Sequence, residues 1–106
     1  MSIEELQQAA IISLIGQADS SFALLFYTPF CGTCGVAERM LSIVQAAGVP
    51  QPIYKTNINY TPLLREQFKV TSVPCLLLFK AGKQVKTIYA VQSVDYLYKQ
   101  LQQTLE

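Results

Sequence analysis

The stretch Phe22-Ala23-Leu24-Leu25-Phe26-Tyr27-Thr28-Pro29-Phe30-Cys31-Gly32-Thr33-Cys34 decides the fold. Its first six residues form an unbroken apolar run. That is too short for a helix of its own and suits a strand buried on both faces. Thr28 to Cys34 then reads as a turn. Beyond it, Val36, Ala37, Met40, Leu41 and Val44 recur at helical spacing from Cys34 to Ala47, and Gly48 and Pro50 end the helix. A buried strand running through a cysteine-bearing turn into a helix is a βα unit, and open α/β sheets place their sites at such junctions.

The same reading extends outward in both directions. Ser2 to Gln17 carries Ile3, Leu6, Ala10 and Leu14 at helical spacing, with Ile11 and Ile15 widening the stripe, and is expected to be a helix capped by Ser2 and stopped by Gly16. Ile53 to Ile58 reads as a strand. Thr61-Pro62 is an N-cap with proline at the first helical position, opening a short helix to about Phe68. Cys75 to Lys80 is an apolar strand that turns at Ala81-Gly82-Lys83 into Val85 to Ala90. Ser93 caps a last helix with Val94, Leu97, Leu101 and Leu105 inward. The strands at 22–27 and 53–58 flank a helix and should be parallel with a right-handed crossover, whereas the last two are antiparallel. The expected fold class is α/β: a central mixed sheet of four strands flanked by helices, with residues 1–106 as one domain.

Composition narrows the function. Of 106 residues, 51% are hydrophobic and 14% charged, which excludes a disordered chain. Eight basic and seven acidic residues leave a net charge of +1 with no dense basic patch, which argues against nucleic acid as a partner. The longest apolar run, Ala9 to Ile15, is interrupted by Ser13, falls short of the ~20 residues that span a bilayer, and follows Glu4 and Glu5 where a secretory leader would be basic. The expectation is a cytoplasmic protein with no membrane partner. Three cysteines are too few to staple a fold, and the absence of histidine removes every Ser/His, Cys/His and His-metal mechanism.

Chemistry therefore concentrates in Cys31-Gly32-Thr33-Cys34. Residues three apart on a first helical turn face the same way, so two sulfurs at this spacing can close a disulfide. At a helix N-terminus, free N–H groups and the helix dipole favour a thiolate on Cys31, making it both nucleophile and leaving group, while Cys34, a turn deeper, would attack Cys31 to release a mixed disulfide. The competing reading is half of a metal site. A structural zinc wants four Cys or His ligands, and this chain would have to recruit Cys75 and a carboxylate or a second subunit. Exchange is favoured, and it needs no bound cofactor.

Tyr27-Thr28-Pro29-Phe30-Cys31-Gly32-Thr33-Cys34 resembles the W-A-x-W-C-G-P-C motif of the thioredoxin family. Thr71-Ser72-Val73-Pro74-Cys75-Leu76-Leu77-Leu78-Phe79-Lys80-Ala81-Gly82 resembles that family's G-I/V-P-T-L-x-x-F-x-x-G stretch, and Lys55 falls where the family has a lysine near its redox pair. The resemblance runs from about Ser21 to Leu105. It implies a thioredoxin-like fold and a protein-disulfide reductase recycled by an NADPH-dependent thioredoxin reductase. It also implies that Pro74 is a cis-proline beside the cysteines and that Val73 offers its backbone to an extended substrate. Phe30, Gly32 and Thr33 would support the site. Thr33 replaces a proline, as either a donor to sulfur or a plain helix-start residue.

The departures from the family shape further expectations. Its first strand is missing, hence a sheet of four strands. Its buried aspartate is Leu25, so resolution by Cys34 is expected to be slower or to use water or Lys55. Lys55 is otherwise a solvated strand-edge lysine, and Glu38, four residues after Cys34, is either a proton relay or, as the favoured reading, a solvated helix-face acid. Arg39 replaces a kinking proline. Cys75 replaces a threonine, as a buried apolar passenger or as a third thiol close to Cys31. Two rival functions stand beside reduction: a metal- or cluster-binding module using Cys31, Cys34 and Cys75, and an interaction domain that turns over weakly.

Overall fold

A computed structural model describes residues 3–89 and 93–105, the last without its side chain. The elements are β1 (Glu4–Glu5), α1 (Gln8–Ile15), β2 (Phe22–Tyr27), α2 (Gly32–Ala46), β3 (Ile53–Asn57), a 3-10 turn (Ile58–Tyr60), α3 (Pro62–Gln67), β4 (Cys75–Lys80), β5 (Lys83–Ile88) and α4 (Val94–Leu105). One mixed sheet runs in the order β1-β3-β2-β4-β5. Strand β3 is parallel to β1 and β2, while β4 is antiparallel to β2 and β5.

The continuous apolar runs at 22–26 and 75–79 are explained by burial on two sides. Ala23, Leu25, Leu76 and Leu78 point into a core shared with Ala37, Leu41 and Val44 of α2 and Leu97 and Leu101 of α4. Phe22, Leu24, Phe26, Cys75, Leu77 and Phe79 point the other way, against Ile11 of α1 and Leu64 of α3. At roughly 1.5–3 kcal/mol for each fully buried Leu or Phe, these two strands carry much of the driving force. Phe22 and Phe79, paired in register, stack with ring centroids 4.6 Å apart, and Phe68 meets Phe79 edge-on at 5.3 Å.

The expected count of four strands is corrected to five. Ile3 and Leu6 fit a helical stripe by spacing, yet they enter opposite cores. Glu4 and Glu5 between them pair in parallel with Tyr54 and Lys55, and the Leu6 N–H donates to the Lys55 carbonyl at 3.0 Å. A strand of two exposed glutamates has no alternation to read. The helix therefore starts at Gln8, and the Ser2 cap lies outside the described residues, as does Ala90 at the expected end of the last strand. The third helix starts at Pro62 as expected, but Thr61 does not cap it; instead Gln8 Oε1 accepts from the N–H groups of Leu63 at 2.9 Å and Leu64 at 3.4 Å, tying α3 to α1. Ser93 does cap α4, its hydroxyl accepting from the Tyr96 N–H at 3.0 Å. Arg39 sits within α2, which is continuous from Gly32 to Ala46. Among the described residues no helix is long and apolar enough to cross a membrane.

The β4–β5 turn has positive φ at Ala81 (55°) and Gly82 (78°), the pairing that a two-residue type I′ hairpin requires. The Gly82 N–H donates to the Ser20 carbonyl at 2.8 Å, and a Cβ there would sit 2.7 Å from the Gln17 carbonyl oxygen. Gly35, inside α2, has nothing within 4 Å of its would-be Cβ. Urea titration is expected to show Gly82→Ala losing about 1–3 kcal/mol through strain and clash, and Gly35→Ala gaining roughly 0.5–1 kcal/mol through helix propensity.

Candidate active site

Strand β2 ends at Tyr27, the chain turns through Thr28–Phe30, and α2 begins at Gly32. Cys31 occupies the N-cap with extended backbone (φ −103°, ψ 108°). Its sulfur takes the part a serine or aspartate oxygen plays at most N-caps: the Cys34 N–H donates to Cys31 Sγ at 3.2 Å. The two sulfurs form a disulfide, with Cα atoms 5.3 Å apart. The outer cysteine is partly exposed and Cys34 is 3% exposed. Attack from solvent can therefore reach Cys31 and not Cys34.

The other residues named from sequence distribute unevenly. Thr33 Oγ1 lies 3.4 Å from Cys31 Sγ, so its hydroxyl can donate to the sulfur. The Val73 carbonyl oxygen lies 3.8 Å from the same sulfur, and the Val73–Pro74 peptide is cis. Phe30 is 97% exposed and presents a bare aromatic face beside the cysteine. Gly32 leaves the approach open, since a Cβ there would meet nothing within 4 Å. The Cys34 N–H, the Thr33 hydroxyl and the Val73 carbonyl thus converge on the Cys31 sulfur.

Lys55 and Cys75 take other partners. Lys55 is not on an edge strand, because β3 lies between β1 and β2. Its ammonium is 2.9 Å from Glu38 Oε2 and 5.3 Å from the centroid of the Tyr27 ring. Glu38 is accordingly a half-buried, ion-paired group and not a solvated acid. Cys75 is fully buried in the core facing α1 and α3. Burial pushes its thiol up from 9.0 to about 11, against a smaller opposing effect of the Tyr89 hydroxyl. Among the described residues no group of three or more Cys, Asp or Glu side chains is gathered to hold a metal ion.

Two features escaped the sequence. The Tyr27 hydroxyl donates to Glu5 Oε2 at 2.7 Å, and burial, then that carboxylate, push the phenol up to about 12. Recognising β1 as a strand is the only signal that would have found this pair. The second is Tyr89, at the end of β5. Its hydroxyl accepts from the Thr71 N–H at 3.2 Å and donates to the Lys69 carbonyl at 3.3 Å. It secures the loop that leads to Val73 and Pro74.

Comparison with known proteins agrees with this geometry. The family model described as Thioredoxin matches residues 2–103. Thioredoxin-like protein YusE of Bacillus subtilis (strain 168) is 45% identical over 85 residues, covering 80% of this chain and 80% of that protein. Thioredoxin of Chlamydia trachomatis serovar D is 34% identical over 74 residues, covering 70% of this chain and 72% of its own. The solved structure of a mutant thioredoxin from Halobacterium salinarum NRC-1 superposes with a TM-score of 0.85 at 22% identity, covering 99% of this chain and 92% of that one.

The raised Cys75 thiol has a measurable consequence. A thiol that ionises near 9.0 when unfolded and about 11 when folded adds stability that is intact below pH 9 and is lost as pH climbs to 11. Tyr27 and Tyr54, both raised, act in the same direction at higher pH. Unfolding midpoints are expected to fall across pH 9–11, and less steeply in Cys75→Val. At pH 8 the native oxidised protein is expected to take up no iodoacetamide, and one equivalent once unfolded.

Proposed function

The chain belongs to the thioredoxin family, and on that premise we propose that it is a thiol–disulfide oxidoreductase that reduces protein disulfides through Cys31 and Cys34. The observation that carries the reading is the sulfur at the α2 N-cap, receiving the Cys34 N–H at 3.2 Å with its partner cysteine buried behind it. A donor aimed at sulfur, together with the positive end of the helix, stabilises Cys31 as a thiolate.

The exchange has two steps. The Cys31 thiolate attacks one sulfur of a substrate disulfide; the substrate S–S bond breaks, and its other sulfur leaves as a thiolate. The Cys34 thiolate then attacks Cys31 Sγ, the mixed disulfide breaks, and the second substrate sulfur leaves with that electron pair. Two electrons have passed to the substrate, and the protein holds the Cys31–Cys34 disulfide. The Val73 backbone, beside Cys31, would pair with an extended substrate segment, so that main-chain bonds and the mixed disulfide hold the substrate more than side-chain pockets do. Phe30 offers apolar contact, Gly32 clearance, Pro74 shape and the Thr33 hydroxyl a donor to the sulfur. Residues 1–106 act as one domain on this proposal, in a reducing, cytoplasmic compartment, recycled by an NADPH-dependent thioredoxin reductase.

In the insulin-reduction assay with dithiothreitol, the native protein is expected to accelerate precipitation, and Cys31→Ser to fall to the rate of dithiothreitol alone. Cys34→Ser is expected to accumulate a mixed disulfide detectable by mass. A native rate no better than that of Cys31→Ser defeats the proposal and leaves a binding domain. A 31/34 reduction potential below the glutathione poise is expected for a reductant.

A further inference from the structure

Resolution requires Cys34 to lose a proton, and its surroundings oppose that. The side chain is 3% exposed in the buried stripe of α2, which shields it from bases in solvent. The chain has no histidine to act as base. Among the described residues the carboxylates are Glu4, Glu5, Asp19, Glu38, Glu66 and Asp95. Of these, only Glu38 stands on the helix that carries Cys34, one turn further along. Side chains at i and i+4 are neighbours, with Cβ atoms about 5–6 Å apart.

Glu38 borders the buried stripe of Cys34, Ala37 and Leu41, and its carboxylate is drawn toward the sheet by Lys55 at 2.9 Å, with the two side chains 28% and 18% exposed. Lys55 in turn is in register with Leu25 on β2, the strand that leads to Cys31. The other titratable groups on the elements packed here are poor recipients for the proton. Tyr27 on β2 hydrogen-bonds Glu5 on β1 and holds its own proton firmly. Tyr96 and Tyr98 of α4 pack against the shared core, and Arg39 on α2 is exposed.

We propose that Glu38, oriented by Lys55, accepts the proton of Cys34 during resolution. The inference rests on the oxidoreductase reading and adds a base to it. The S–H bond of Cys34 breaks and its proton passes to the Glu38 carboxylate, directly or across one water. The sulfur electron pair forms the new bond to Cys31 Sγ, and the substrate sulfur leaves with the pair of the broken bond. Glu38 then releases its proton to the departing thiolate or to solvent, and no further oxidant or reductant takes part.

Ellman's reagent separates the two steps by stopped flow. The first thionitrobenzoate released reports attack by Cys31, and the second reports resolution by Cys34. Between pH 6 and 8, Glu38→Gln is expected to leave the first phase within about twofold and to slow the second by about 100-fold, the scale of a lost general base. Its second phase should climb tenfold per pH unit, against a flatter native profile. Glu38→Asp, which keeps the carboxylate, is expected to recover part of the rate, a rescue that a packing defect would not give. A second phase in Glu38→Gln that is unchanged or faster overturns the inference: a carboxylate acting only through its charge would hinder ionisation of Cys34, so its removal would speed the step. A native protein with no first phase overturns the oxidoreductase reading, and this inference with it.

Discussion

A sheet covered by helices on both sides has no tolerance for polar side chains in its middle. From Phe22 to Phe26 and from Cys75 to Phe79 every residue is buried, alternate ones entering opposite cores. That constraint sorts the whole molecule. Polar chemistry is pushed to where the central strands end, and β2 ends at the turn that carries Cys31. The half-buried charge of Lys55, on the sheet face that meets α2, needs a partner at once, and Glu38 supplies it.

The reactive end is built from backbone more than from side chains. A cysteine in place of the usual capping oxygen puts sulfur in front of a free N–H. The loop that faces it contributes a carbonyl and a cis peptide, and is secured from behind by the Tyr89 hydroxyl. Such a site is shaped mainly by main-chain geometry, with the exposed Phe30 ring and the Thr33 hydroxyl as its side-chain additions.

Most of the fold was legible because its signals are strong and local. The doubly buried strands announce themselves as continuous apolar runs, the hairpin by Ala81-Gly82, and the reactive pair by two cysteines at a strand–helix junction. What escaped was encoded by partners distant in sequence. Strand β1 is two glutamates whose strand character comes only from β3. Gln8 caps a helix more than fifty residues away, at Leu63 and Leu64. Glu38 reads as an ordinary surface acid until Lys55 is placed beside it, and the face that Lys55 occupies depends on which strands flank β3. Cys75 was legible as a buried passenger, and its place opposite α1 and α3 agrees with that reading.

The Val73 carbonyl and Cys31 Sγ come together across 42 positions of the chain, and the clasp at Tyr89 comes later still. A chain ending before β5 would therefore carry Cys31 and the Val73 carbonyl but not the Tyr89 hydroxyl that ties down the loop between β4 and the preceding helix.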